Sequence, residues 1–111
     1  MSDPQTAAAN STPTIAFNDL LPVISNLSRW KLLRELASGE QFMVLELAER
    51  VGLAPDVASK HLALFRRAGI VLQGRNRLYQ LAPQFLADKT NRVLDFGWCL
   101  LRTNARFPDA A

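Results

Sequence analysis

Two short runs of apolar residues at helical spacing, separated by one glycine and ended by another, limit what this chain can fold into. Val44, Leu47, Ala48 and Val51 recur three and four apart before Gly52; Ala58, Leu62, Phe65 and Ala68 resume the period and stop at Gly69. Residues at that spacing share one face of a helix, and glycine readily leaves the helical region at its end. The spacing predicts two amphipathic helices joined by a tight turn, each with one stripe for the core. The second helix has Val57, Ser59, Lys60 and Ala63 left over, on a face free for a partner.

Charge indicates the chemistry of that partner. No Asp or Glu occurs from Val57 to Ala87, a span that holds Lys60, Arg66, Arg67, Arg75 and Arg77. Just upstream, Glu35, Glu40, Glu46, Glu49 and Asp56 stand against Arg34 and Arg50, so the net charge of +3 hides a polarised molecule. A basic helix followed by a basic hairpin is an electrostatic footprint for phosphate. The blander reading is a solvated charged face.

The flanking sequence fills in a small domain. At 111 residues and 49% apolar composition the chain supports one globular unit. Residues 1–14 are rich in Ser, Thr, Ala and Pro without a large apolar anchor, and read as a disordered tail. Phe17, Leu20, Leu21 and Ile24 predict a first helix, capped by Asn18 or Asp19, with Pro22 in its first turn. Ser28 reads as the N-cap of a second, whose stripe is Trp30, Leu33, Leu36 and Ala37, ended by Gly39. A residue or two of strand is expected within Gln41–Met43. After the helix pair, Ile70–Gln73 and Arg77–Leu81 alternate as strands around a tip of Gly74, Arg75 and Asn76. Pro83 then suits the start of a terminal helix over about 83–106. Its middle, VLDFGWCLL, is apolar almost all round, which calls for a second surface to bury against. The economical answer is a second copy, met through Phe17, Leu21, Val93, Leu94, Phe96, Gly97, Trp98, Leu100 and Leu101, with Gly97 allowing close backbone approach.

The run from Leu36 to Val71, with Ser59, Lys60, His61 and Leu62 matching a Ser-x-His-Leu core, resembles the ArsR/SmtB-type winged-helix transcriptional repressors. The likeness extends from about Leu27 to Leu81. It departs from the family pattern at Asn26–Arg29, where an Asp-Pro-Thr-Arg-like turn is usual, and at Ala54–Val57, where Ser-Gln-Pro-Thr is usual. The resemblance implies a mainly α winged helix-turn-helix over 15–107 that dimerises through terminal helices. It also implies a homodimeric repressor on an inverted-repeat operator in double-stranded DNA. The expected DNA-binding residues are Val57, Ser59, Lys60, His61, Ala63, Arg66, Arg67, Arg75, Asn76 and Arg77.

Other chemistries fail on inventory. One His and one Cys, far apart, make no evident nucleophile–base pair, and no glycine-rich phosphate loop occurs, so an enzyme is not expected. The resembling metal sensors place thiolates where this chain has Gln41–Leu45, and His ligands along a terminal helix where it has Asp88 and Asp95. No metal or other cofactor is therefore expected. His61 is expected to hold its helix by a hydrogen bond or to touch phosphate. Cys99 reads as a small buried apolar group or, alternatively, as a redox switch across a dimer seam. A cytoplasmic location is expected, since neither a signal peptide nor a membrane span is evident. The other alternative is a winged-helix module that binds protein and not DNA, for which Asp56, facing any approaching phosphate, is the best support.

Overall fold

The computed structural model describes residues 15–104, so the expected tail over 1–14 and the end of the domain past 104 lie outside the described residues. Helix α1 spans Phe17–Ile24 and buries Leu20 and Val23. It opens on the Ala16 carbonyl, which accepts the amides of Asp19 and Leu20 at 3.0 Å each. The expected side-chain cap is absent, with Asn18 and Asp19 already inside the helix, and Pro22 lies beyond the first turn. A proline there forfeits one helical bond, and the helix ends two residues later. Helix α2, Leu27–Leu36, starts two residues earlier than Ser28 would allow: Asn26 is its N-cap, its Oδ1 accepting from the Arg29 amide at 3.1 Å. Leu32, Leu33, Leu36 and Ala37 are fully buried, while Trp30 is half-buried.

Helix α3, Val44–Val51, ends at Gly52, whose φ of 75° is the left-handed conformation glycine adopts without strain. The Leu53 amide then bonds back to Ala48 O at 2.9 Å, which closes the turn and aims the chain into helix α4, Pro55–Arg67. Proline suits the first position of α4, where an amide would be unpaired. Ala58, Leu62 and Phe65 of α4 are fully buried, and Leu62 and Phe65 share one core with Leu47 of α3 and the leucines of α2.

Strands β1, Val71–Gln73, and β2, Tyr79–Leu81, pair antiparallel with Leu72 opposite Gln80. Phe42 adds a one-residue bridge to this hairpin, exchanging bonds of 2.9 and 2.7 Å with Tyr79, as expected for Gln41–Met43. Among the described residues, four helices with a basic antiparallel hairpin make a winged helix-turn-helix.

The terminal helix expected over about 83–106 is not formed. After a 3₁₀ turn at Pro83–Phe85, the chain makes a three-stranded antiparallel meander of β3 (Leu86–Asp88), β4 (Val93–Asp95) and β5 (Leu100–Arg102). Two turns explain the difference. In the first, both Asp88 carboxylate oxygens accept from Asn91, which holds the carboxyl below its ordinary pKa through the Asn91 side chain and then its amide. In the second, Gly97 at φ 92° is the first central residue of a two-residue hairpin loop between Phe96 and Cys99. The period is then two: Leu94 and Phe96 face the core, fully buried, and alternate with the half-buried Val93 and Asp95 on the other face. Leu94 and Phe96, expected at a dimer seam, thus belong to the chain's own core, and Gly97 serves its hairpin. Of the other expected seam residues, Phe17, Leu21, Trp98 and Leu100 are exposed, while Val93 and Leu101 are half-buried. The meander is tied to α2 through Arg92, whose Nη1 donates to Arg34 O at 3.1 Å. No helix among the described residues is long and apolar enough to cross a membrane.

Candidate nucleic-acid interface

With Ala58, Leu62 and Phe65 fixed inward, ~100° of rotation per residue sets the rest of α4. Lys60, Ala63 and Arg67 lie opposite the buried stripe, Ser59 and Arg66 on one flank, and Val57 and His61 on the other. All are exposed except His61, which is half-buried. The helix of 13 residues is ~20 Å long, a rod that fits a major groove ~12 Å wide. Ala63, Arg66 and Arg67 line an open hollow of about 300 Å³ on this surface.

The hairpin stands beside the end of this helix, and Arg66 links the two: its Nη1 donates to Gln73 Oε1 at the end of β1. The tip is longer than the sequence suggested, running from Gly74 to Leu78 and closed by Gly74 N to Leu78 O at 2.9 Å. Inside it, Asn76 and Arg77 take φ values of 61° and 59°, and the Leu78 amide bonds to Arg75 O at 3.3 Å. Two consecutive left-handed residues are the type I′ pattern, which favours Asn followed by Gly. Arginine in the second place carries strain of about 1 kcal/mol. Arg75, Asn76 and Arg77 are all exposed.

Two of the nearby acids, Glu35 and Glu46, are paired with Arg50. Arg50 pairs with Glu35 at 3.3 Å and, one turn back on α3, with Glu46 at 3.9 Å, while lying 5.0 Å over the Phe42 ring. Asp56 remains exposed in the first turn of α4.

His61 has a partner that sequence reasoning missed. Arg29, 32 residues away on α2, donates from Nε to His61 Nδ1 at 3.1 Å and from Nη1 to Pro22 O of α1 at 2.6 Å. One guanidinium thereby joins α1, α2 and α4. An accepting Nδ1 requires the neutral ring with its proton on Nε2. Burial, and then the Arg29 charge, push the His61 pKa below its ordinary value and favour that form. No local pattern marks Arg29, because its role depends on where α1 ends in space.

Cys99 is half-buried against the core. Burial, and then the Asp95 carboxylate, push its thiol above the ordinary range, whereas a reactive thiol is a depressed one. Among the described residues no three His, Cys, Asp or Glu side chains gather to hold a metal ion.

A family model described as a helix-turn-helix domain matches residues 24–73, from the last residue of α1 to the end of β1. The match thus takes in α2, α3 and α4 and stops before the wing tip and the meander. No curated protein matches the chain.

Proposed function

We propose that this chain is a sequence-specific DNA-binding transcriptional regulator, a homodimeric repressor that reads an inverted repeat in double-stranded DNA. The observation that carries this reading is the surface formed by α4 and the wing. Lys60, Arg66, Arg67, Arg75 and Arg77 all lie on it, in a stretch of chain that contains no acid. Ser59, Lys60 and Val57 are the base-edge readers: Val57 suits a thymine methyl and Lys60 a guanine edge or a phosphate. Arg66 and Arg67, with Arg75, Asn76 and Arg77 of the wing, hold backbone and fix the register of the helix. Strain at Arg77 favours the same reading, because a cation is kept where glycine would sit more easily. Ala63 leaves the helix room to approach, and His61 faces its own domain through Nδ1 with Nε2–H left to donate.

Homodimerism accompanies the proposal because a single recognition helix covers one short half-site, and a two-fold axis doubles it. No metal or redox effector is part of the reading: the stretch Gln41–Leu45 offers no thiolate or imidazole, and Cys99 is a raised thiol. An intracellular location follows from the substrate proposed. The test is selection of bound sequences from random duplexes by the purified protein, followed by anisotropy on the selected and a scrambled duplex. The expected result is a palindromic consensus, bound at least ~10³-fold more tightly than scrambled DNA. A protein that ignores DNA at low salt would instead be the protein-binding module, with the exposed Asp56 as its signature.

A further inference from the structure

Val57, Ser59 and Lys60 all lie in the first two turns of α4, and that end of the helix is loosely fixed by its own sequence. Ala54, at the N-cap, supplies no side-chain cap, and the first two turns fully bury only the small Ala58 and Leu62. Apolar contact is non-directional, so this stripe decides which face turns inward without holding the rotation closely. A hydrogen bond is directional. Among the described residues, two side-chain hydrogen bonds tie α4 to other elements: Arg66 to Gln73 of the wing, and His61 to Arg29 of α2. Only the second falls beside Val57, Ser59 and Lys60.

We infer that Arg29 is a positioning residue for sequence reading: through His61 it sets the rotation of the N-terminal half of α4, and so which base edges Val57, Ser59 and Lys60 reach, without touching DNA itself. The inference rests on the DNA-binding reading. Arg29 is built for the task, because a planar guanidinium makes its bonds to His61 Nδ1, at 3.1 Å, and Pro22 O, at 2.6 Å, fix each other's direction. The second acceptor is main chain in the last turn of α1, where a carbonyl has no helical amide to receive, on a helix anchored by the fully buried Leu20 and Val23. The frame that holds α4 is thus the core and not a mobile side chain. Small rotations matter: with side-chain tips ~6 Å from the helix axis, ~10° moves them ~1 Å, while good hydrogen-bond lengths span only ~0.5 Å. Long arginines on phosphate can follow such a shift, whereas short readers on base edges cannot. Loss of the Arg29 fork should therefore cost sequence preference and spare backbone affinity.

Salt-titrated anisotropy of the full chain on the selected and the scrambled duplex tests this with Arg29→Met, His61→Leu and His61→Asn. Methionine keeps an apolar stem without donors, leucine keeps bulk without an acceptor, and asparagine returns an acceptor where Nδ1 stood. Arg29→Met and His61→Leu are each expected to lower the ratio of selected to scrambled affinity by ~10-fold, and the double variant by no more than either, because they break one bond. The salt slope on scrambled duplex should not move, and His61→Asn should keep most of the ratio. A merely structural role would lower the folded fraction and weaken both duplexes equally, leaving the ratio where it was; circular dichroism reports that fraction. If Arg29→Met does not fold, His61→Leu against His61→Asn carries the comparison at a half-buried position. Folded variants that match the wild-type ratio, or a His61→Asn no better than His61→Leu, overturn the inference. A wild type with no preference between duplexes removes the DNA-binding reading and this inference together, whereas a wild-type preference that survives in the variants removes the inference alone.

Discussion

His61 and Arg77 show how much of the interface is set by single side chains. Because His61 accepts from Arg29, protonation of its ring replaces an acceptor with a second cation facing the guanidinium. Its folded pKa lies below the unfolded value of about 6.5, so between the two the unfolded chain binds the extra proton. The stability it contributes is complete above about pH 6.5 and is lost as pH falls through the folded value. Urea titrations of the wild type and His61→Gln from pH 8 to 5 should give a stability difference that is flat above about 6.5 and shrinks below it; a difference constant with pH would mean the bond is not made. The charged group facing His61 is Arg29 of α2, and it opposes protonation of the ring. At Arg77 the expected result is of opposite sign for fold and function. Arg77→Gly relieves a left-handed arginine, so it should stabilise the protein by about 1 kcal/mol in urea. The same substitution should weaken binding to every duplex, and a variant that bound DNA unchanged would remove Arg77 from the interface.

Among the elements, the meander is where the sequence was least legible, and Gly97 is the residue on which the two readings divide. In a helix interior Gly97→Ala would add about 1 kcal/mol of stability; at φ 92° in a hairpin loop it should remove about 1 kcal/mol or more, so the sign of the shift in thermal midpoint decides. The apolar run VLDFGWCLL fits either period, because residues apolar on every side suit a partnered helix as well as buried strands. The turn signals that resolve it, Asp88 to Asn91 and a lone glycine after Phe96, are short and sit inside a stretch that otherwise tolerates helix. The helix pair was legible because its stripes are long, its stops are glycines and each buried position agrees with the pattern. The Asn26 cap was missed because Asn26 and Ser28 both have a side chain that can accept an amide. The wing was legible as a hairpin but not in its tip, since nothing before Leu78 announces that Arg77 turns left-handed.

At the scale of the whole molecule, the proposed function rests on the basic surface made by α4 and the wing. The candidate residues on the basic surface were legible because they follow from which face of α4 is buried, whereas Arg29 and Gln73 were not, because their bonds join elements that only the fold brings together. Within the basic surface, base reading and phosphate holding should fail differently when tested residue by residue. Arg75 and Arg77 sit on a hairpin too short to wrap a groove, so each is expected to neutralise one phosphate. Replacing either with Ala should weaken selected and scrambled duplexes alike, and flatten the plot of log affinity against log salt by about one unit. Ser59 and Lys60 stand on the helix face that would enter the major groove. Their replacement should cost about 1 to 3 kcal/mol on the selected duplex and much less on the scrambled one, because a base contact exists only where the matching base does. Salt-titrated anisotropy on both duplexes reads the two classes in one experiment. A wing variant that loses sequence preference while keeping its salt slope would place base reading in the wing, and the division argued from the burial of α4 would be reversed.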